Sequence, residues 1–134
     1  GSAAFLNDSE IRVSDIAEVK DALIATGFPY YNIDRYEGFM NTINHFFLHT
    51  HGVRRMGSAA TDLAYVACGR YDGFYEYNLR PWDVAAGALI VLQAGGRVTD
   101  FSGGDDYLFG REIVAANRNI QKAFVSDVAR FMKP

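Results

Sequence analysis

The sequence of 134 residues predicts an α/β fold in which helices flank a sheet, because short apolar strands alternate along it with amphipathic helices. Hydrophobic residues make up 49% of the chain, which is enough to bury a core at this length. No repeat, low-complexity tract or linker composition interrupts it. We therefore expect residues 1–134 to form one domain.

The charge and cysteine content exclude several functional classes. A net charge of −3 argues against a nucleic-acid or anionic-membrane surface as the main function, because such surfaces need clustered Lys and Arg. The one cysteine, Cys68, excludes an internal disulfide and is interpreted as a small buried residue. No signal peptide is found, and apolar runs stop short of the roughly 18 residues of a spanning helix. We expect a cytoplasmic protein.

The first part of the chain predicts a hairpin followed by a buried strand. Residues 3–6 and 11–13 are apolar and are separated by an Asn-Asp pair, which favours a turn. Residues 22–25 are a compact apolar run, and residues 26–29 after it read as a loop. Gly27 in that loop is either an ordinary turn residue or a backbone position beside a ligand.

Residues 31–50 predict an amphipathic helix with apolar positions spaced by threes and fours. His45 and His49 lie one turn apart with His51 close behind, a spacing that superficially suggests a metal site. No carboxylate accompanies them at ligand spacing, so we expect no zinc there. The predicted buried stripe is Ile33, Tyr36, Met40, Ile43, Phe46 and Phe47.

The next helix is predicted over residues 59–68, after a short strand at 53–56. Ser58 is its expected N-cap, so Gly57, Ser58 and Ala59 place free amides at a helix start, able to donate to an anionic or hydroxyl-bearing ligand. Capping alone is the alternative. The expected core stripe is Ala60, Leu63, Ala64 and Ala67.

Residues 71–77 alternate as a strand, and residues 81–96 predict a closely packing helix with Pro in its first turn and a Gly pair at its end. Glu76 near the strand end is either a solvated charge or a functional group. Asp83 in the first helical turn either stabilises the helix start or is a ligand presented there. The expected apolar stripe is Val84, Gly87, Ala88, Val91 and Leu92.

The last third predicts strands at residues 97–101 and 112–116 around a Gly and Asp turn. Asn117 is expected to open a terminal helix. Its docking stripe is predicted as Ile120, Ala123, Phe124, Val128 and Phe131.

Six motifs in order resemble the inositol monophosphatase family, a Mg-dependent, Li-sensitive phosphatase superfamily. The family pattern W-D-x-x-A-G, followed by E-A-G-G, matches residues 82–96, although Gln93 stands where Glu is usual. The resemblance implies the C-terminal α/β portion of an α-β-α-β-α sandwich, with a mixed sheet flanked by helices. The motifs are AFLND, IRVSD, ATGFPY, RRMGSAATDLAYVACG, PWDVAAGALIVLQAGG and FSGGDDYLFGREIVAAN.

Two family motifs are missing from the sequence, a glutamate pair and the run D-P-I/L-D-G-T, which hold most of the magnesium ligands. We therefore expect residues 1–134 to be the C-terminal domain of a longer enzyme whose N-terminal metal-binding half is absent. The first two residues are either a cloning scar or part of the family's G-x-G-A-F-x-N turn.

The resemblance implies a phosphomonoesterase that hydrolyses inositol monophosphate or a related sugar phosphate by Mg-activated water, and that forms a homodimer. Two or three Mg²⁺ ions are expected in the complete enzyme, with Asp83 as the one metal ligand from this chain. Glu76, Asp83 and residues 57–59 are the implied substrate-binding set. Trp82 is expected to be buried beside the strand at 71–77 and to stabilise the fold.

The alternative is a non-catalytic fragment that acts as an interaction or oligomerisation module, because loss of the other half would expose apolar surface. A third alternative is that it only regulates a partner. By either interpretation, the fragment alone is expected to be inactive.

Overall fold

A five-stranded mixed sheet lies between two pairs of helices in the computed structural model, which describes residues 3–28 and 34–132. The α/β class and the mixed sheet flanked by helices are confirmed. The strands are β1 (Ala4–Leu6), β2 (Ser9–Ile11), β3 (Leu23–Thr26), β4 (Gly52–Arg54), β5 (Gly73–Tyr77), β6 (Arg97–Thr99) and β7 (Glu112–Ala116). The helices are α1 (Tyr36–His49), α2 (Ala59–Ala67), α3 (Pro81–Gln93) and α4 (Gln121–Met132).

The strand order in the sheet is β4-β3-β5-β7-β6. Strand β3 is parallel to β4 and β5, whereas β7 is antiparallel to β5 and β6. Parallel neighbours need crossover connections, and here α1 joins β3 to β4 and α2 joins β4 to β5. The carboxyl ends of β3 and β5 therefore lie side by side.

The predicted hairpin is confirmed as β1 and β2, which pair antiparallel with Asn7 in the left-handed region (φ 56°) at the turn. It packs against α3, and the Val13 amide donates to the Ala94 carbonyl at 3.1 Å. Parts of two predicted segments, Pro29 of the loop and residues 31–33 at the start of the first helix, lie outside the described residues.

Two hydrophobic cores lie on opposite faces of the sheet. Leu63, Val66 and Phe74 belong to the core under α2 and α3, whereas Tyr75 and Phe124 belong to the core under α1 and α4. Successive residues of a strand point to opposite faces. The aromatic residues on both faces of β5 are therefore confirmed, and this central strand is covered on both sides.

Helices α2 and α3 approach closely because a glycine lies at their contact. A Cβ at Gly87 would stand 2.6 Å from Leu63 Cδ1, so no larger residue fits there without a shift. The predicted close packing of the helix at 81–96 is confirmed. This contact brings the first turns of both helices to one side of the sheet.

In three helices, some of the residues predicted to be buried are exposed. The reason is that each helix packs on the sheet through a face that is rotated from the predicted one. In α1 the buried residues are Phe39, Thr42 and Phe46, and Tyr36, Met40 and Phe47 are exposed. In α2, Leu63 and Ala67 are buried as expected, but Asp62 and Val66 replace Ala60 and Ala64. In α3, Leu92 is exposed while Val84, Gly87, Ala88 and Val91 are buried as predicted.

The terminal helix begins later than predicted. Asn117 opens a turn, where its Oδ1 accepts from the Ile120 amide at 2.9 Å and its Nδ2 donates to the Ile16 carbonyl at 3.0 Å, and α4 starts only at Gln121. Ile120, Phe124 and Val128 are buried as predicted. Ala123 is exposed and Met132 provides the last core contact.

Candidate functional site

The carboxyl ends of β3 and β5 and the first turns of α2 and α3 surround one pocket of about 430 Å³. Clefts at the carboxyl ends of parallel strands are common ligand sites, because helices begin there and loops are free to vary. All the residues singled out in the sequence for substrate or metal line this pocket: Gly27, Gly57, Ser58, Ala59, Glu76 and Asp83.

The segment before α2 is built to start a helix and leaves amides free. Gly57 has φ 87°, a left-handed conformation that favours glycine. Ser58 is the N-cap, as predicted, and its Oγ accepts from the Thr61 amide at 3.3 Å. In the described part of the chain, the amides of Ser58 and Ala59 donate to no acceptor. Capping and ligand binding are therefore compatible at this helix start.

Glu76 is a half-buried carboxyl group next to the β3 loop. Burial and, to a smaller extent, the negative charges of Asp62 and Asp83 raise its pKa from 4.5 to about 8, although the positive charge of Arg55 lowers it. Gly27 is essential to this placement, since a Cβ there would stand 2.1 Å from Glu76 Oε1. Without a ligand, Glu76 is thus mainly protonated at neutral pH.

Asp83 caps its own helix through one carboxylate oxygen, and the residue also lines the pocket. Its Oδ2 accepts from the Arg80 amide at 2.9 Å, and its own amide donates to the Arg80 carbonyl at 2.9 Å. Oδ1 accepts no hydrogen bond from residues 3–28 or 34–132. The capping interaction therefore occupies one carboxylate oxygen and leaves the other for a ligand.

The prediction that Trp82 is a buried aromatic is wrong. Its side chain is 78% exposed and lines the pocket rim. It lies in the first turn of α3 on the side away from the sheet, because Val84 occupies the inward position. Trp82 is therefore a surface residue of the site, and the fold does not depend on its burial.

Sequence reasoning missed two charged residues near the pocket. Arg55 lines it, with its guanidinium 5.1 Å from the Phe28 ring centroid. Asp62 is completely buried, and neither of its carboxylate oxygens has a hydrogen-bond partner among the described residues. Burial raises its pKa to about 6 against the charge of Arg55. No local pattern indicated this, because the core stripe predicted for the helix does not include position 62.

The chemistry of the pocket partly suits magnesium. Mg²⁺ prefers carboxylate oxygens, and Asp83 Oδ1 is such a donor at the pocket wall. Within the described ranges, however, no group of three or more His, Cys, Asp or Glu side chains could hold a metal ion. The residues present can contribute to a magnesium site but do not complete one.

Comparison with known proteins identifies what the chain is similar to. The profile of the Inositol monophosphatase family matches residues 1–133. The putative Nus factor SuhB of Neisseria meningitidis serogroup B is 50% identical over 120 residues, which is 90% of this chain and 46% of that protein. An inositol-1-monophosphatase of Mesorhizobium japonicum is 42% identical over 130 residues, which is 97% of this chain and 49% of that protein.

Solved structures agree with these similarities. The extragenic suppressor protein SuhB of Bartonella henselae superposes with a TM-score of 0.90 at 43% identity, over 96% of this chain and 50% of that chain. The chain thus spans about half the length of the relatives it matches. No helix among the described residues is long and apolar enough to cross a membrane.

Proposed function

The chain belongs to the inositol monophosphatase family, and from this premise we propose that the complete protein is a Mg²⁺-dependent phosphatase for inositol monophosphate or a related sugar phosphate. The proposal depends mainly on one observation, which is that Asp83, Glu76 and the start of α2 line the same pocket. This chain would be the C-terminal domain of that enzyme, and it would supply one side of the active site.

The start of α2 would bind the anionic or hydroxyl-bearing part of the substrate. The amides of Ser58 and Ala59 donate to no acceptor among the described residues, and the positive end of the helix dipole favours negative charge at this point. Arg55 would add a full positive charge on the same pocket wall. Both features support a phosphorylated substrate.

Glu76 would orient the substrate ring through its hydroxyl groups. As a carboxylate it accepts hydrogen bonds from hydroxyls, and as a carboxylic acid it also donates one. The Gly27 backbone behind it fixes the position of the carboxyl group, so a ring would meet it in one orientation. A polyhydroxylated ring is thus better suited to this pocket than a plain alkyl phosphate.

Asp83 would hold magnesium through Oδ1 while Oδ2 keeps the helix start in place. Bound Mg²⁺ lowers the pKa of a coordinated water and neutralises charge on phosphoryl oxygens. The remaining ligands would come from the upstream half of the complete protein, since the relatives are about twice as long as this chain. The fragment alone would then be inactive, and a homodimer is proposed for the complete protein.

Phosphate release by the purified complete protein tests this proposal. We expect Mg²⁺-dependent release from inositol monophosphate, slower release from glycerol phosphate, and loss of both on chelation. A complete protein that releases no phosphate from inositol or sugar monophosphates at any Mg²⁺ concentration would contradict it.

A second candidate function is a Nus-factor role, because several relatives of 43% identity and above are named Nus factors or putative Nus factors. Such a role does not require the pocket. An Asp83→Asn gene tested in a deletion strain of the source organism separates the two candidates. Full complementation by a catalytically inactive variant would favour the Nus-factor role.

A further inference from the structure

A second groove, of about 780 Å³, lies at the β6 edge of the sheet and shares no lining residue with the candidate site. Its floor is β6, and one wall is the side of α4 that lies next to this strand. That face is formed by Lys122, Val125, Ser126 and Ala129, whose spacing of three and four places them on one side of the helix. Leu92 of α3 lines the opposite wall.

Strand β6 is an edge strand with one free side. It pairs with β7 and has no other strand partner among residues 3–28 and 34–132. Edge strands carry unpaired amides and carbonyls that can pair with an extended segment of another chain. The groove therefore offers hydrogen-bonding backbone between two helical walls.

The two sides of this groove differ in chemistry. Gln121 Nε2 donates to Thr99 Oγ1 at 2.9 Å, so Thr99 and, by strand alternation, Arg97 point toward α4. Val98 points the other way, into the core that contains Val91. The α4 side is thus cationic, with Arg97, Arg118 and Lys122, and the α3 side is apolar, with Val98 and Leu92.

The three cations are not neutralised within the described structure. Arg97, Arg118 and Lys122 are exposed and form no ion pair with any described residue, and no acidic side chain lines the groove. The neighbouring acid, Asp100, is engaged by the backbone amides of Ser102 and Gly104, both at 2.8 Å. The charge of the groove favours an anionic ligand.

We infer that this groove binds an extended segment of another protein in which acidic and apolar residues alternate, added as a strand to the free edge of β6. Alternate side chains of an added strand point to opposite sheet faces, so the acidic ones would meet the α4 cations and the apolar ones would meet the exposed Leu92. A peptide fits better than single-stranded nucleic acid, because no aromatic residue of the described ranges lines the groove for base stacking.

The test measures binding of a fluorescein-labelled peptide, Glu-Val-Glu-Val-Glu-Val, to the complete protein by fluorescence anisotropy. We expect saturable binding that weakens about tenfold with Lys122→Glu. Arg130→Glu is the matched control, because it makes the same charge change on an exposed residue of α4 outside the groove. It should leave affinity within about twofold.

A second probe isolates the strand pairing. The same peptide with its alternate backbone amides methylated cannot pair fully with β6, and we expect it to lose binding. No saturable binding to the complete protein, or equal weakening by Lys122→Glu and Arg130→Glu, would overturn the inference. Equal binding of the methylated peptide, or of an RNA hexamer with the same sensitivity to Lys122→Glu, would also overturn it and indicate a general anion site.

Discussion

The backbone of Gly27 lies directly against the carboxyl group of Glu76, so that a Cβ at position 27 would stand 2.1 Å from Oε1 and 2.3 Å from Cδ. Gly27 directly follows β3, and Glu76 lies in the neighbouring parallel strand β5, whose register with β3 sets Thr26 beside Tyr75. The loop after β3 thereby fixes the position of an acid at the end of β5. This relationship makes Gly27 testable as a positioning residue.

Gly27→Ala in the complete protein should raise KM for inositol monophosphate with little effect on stability. The new methyl group would displace only the far end of the flexible Glu76 side chain, which moves at small energetic cost. We expect KM to rise about tenfold and Tm to change by less than about 4 °C. Gly52→Ala is the control and should leave KM unchanged, because Gly52 lies in β4 beside Leu23, at the opposite end of β3 from Gly27. An unchanged KM for Gly27→Ala would contradict the placement of Glu76.

In the metal-free complete protein, the free energy of unfolding should depend on pH through the protonation of the Glu76 carboxyl group. Its pKa is raised from 4.5 to about 8 on folding, so the folded state holds more protons than the unfolded state between those values. Unfolding free energy therefore falls as pH rises from about 5 to 8. Glu76→Gln should flatten that fall in chemical-denaturation experiments.

Asp62→Asn is the matched comparison for this pH series. The pKa of Asp62 is raised from 3.8 to about 6, so its contribution is lost at lower pH, between about 4 and 6. We expect Asp62→Asn to flatten the profile only below about pH 6 and Glu76→Gln to flatten it up to pH 8. The same change in both variants would contradict the separate environments of the two acids.

Trp82→Ala should cost little stability, because the ring is 78% exposed. We expect a loss of less than about 1 kcal/mol in the free energy of unfolding. Phe74→Ala, in the buried centre of β5, is the comparison and should cost about 3 to 5 kcal/mol. A large loss for Trp82→Ala would show that its ring is covered in the complete protein.

The 134-residue chain alone should self-associate through α3. Leu89 is 54% exposed and Ile90 lies next to it, so the outer face of this helix presents apolar side chains to water. We expect concentration-dependent association in analytical ultracentrifugation, reduced by Leu89→Lys. A monodisperse monomer at all concentrations would contradict this expectation.

Local sequence patterns predicted most of the helices, strands and turns, because each of these patterns lies within the residues of one element. The turn after β1, the Ser58 cap and the Pro81 helix start all depend on neighbours within four residues. The buried faces of α1 and α2 were less predictable. A helix with many apolar residues can bury a similar area in several orientations about its axis. In α1, the orientation is fixed by the packing of the Phe46 ring on Tyr75 and Phe124.

The candidate site was predictable only where the resemblance supplied its residues. Spacing alone did not decide between helix capping and ligand binding for Asp83, and the structure shows a capping contact that engages one oxygen of its carboxylate. Arg55 and Asp62 were missed because their significance comes from contacts across elements. The groove at β6 was missed for the same reason, since Arg97 and Lys122 are separated by a turn and a strand.

The central claim, that Asp83 binds magnesium for catalysis, is tested most directly by the turnover of Asp83→Asn in the complete protein at saturating Mg²⁺, measured beside its melting temperature. An asparagine oxygen can still accept from the Arg80 amide, so the helix start should persist and Tm should fall by no more than about 4 °C. The lost negative charge should weaken the metal site and reduce kcat at least about 100-fold. Near-normal turnover together with a sharply lower Tm would show that Asp83 is only a helix-capping residue.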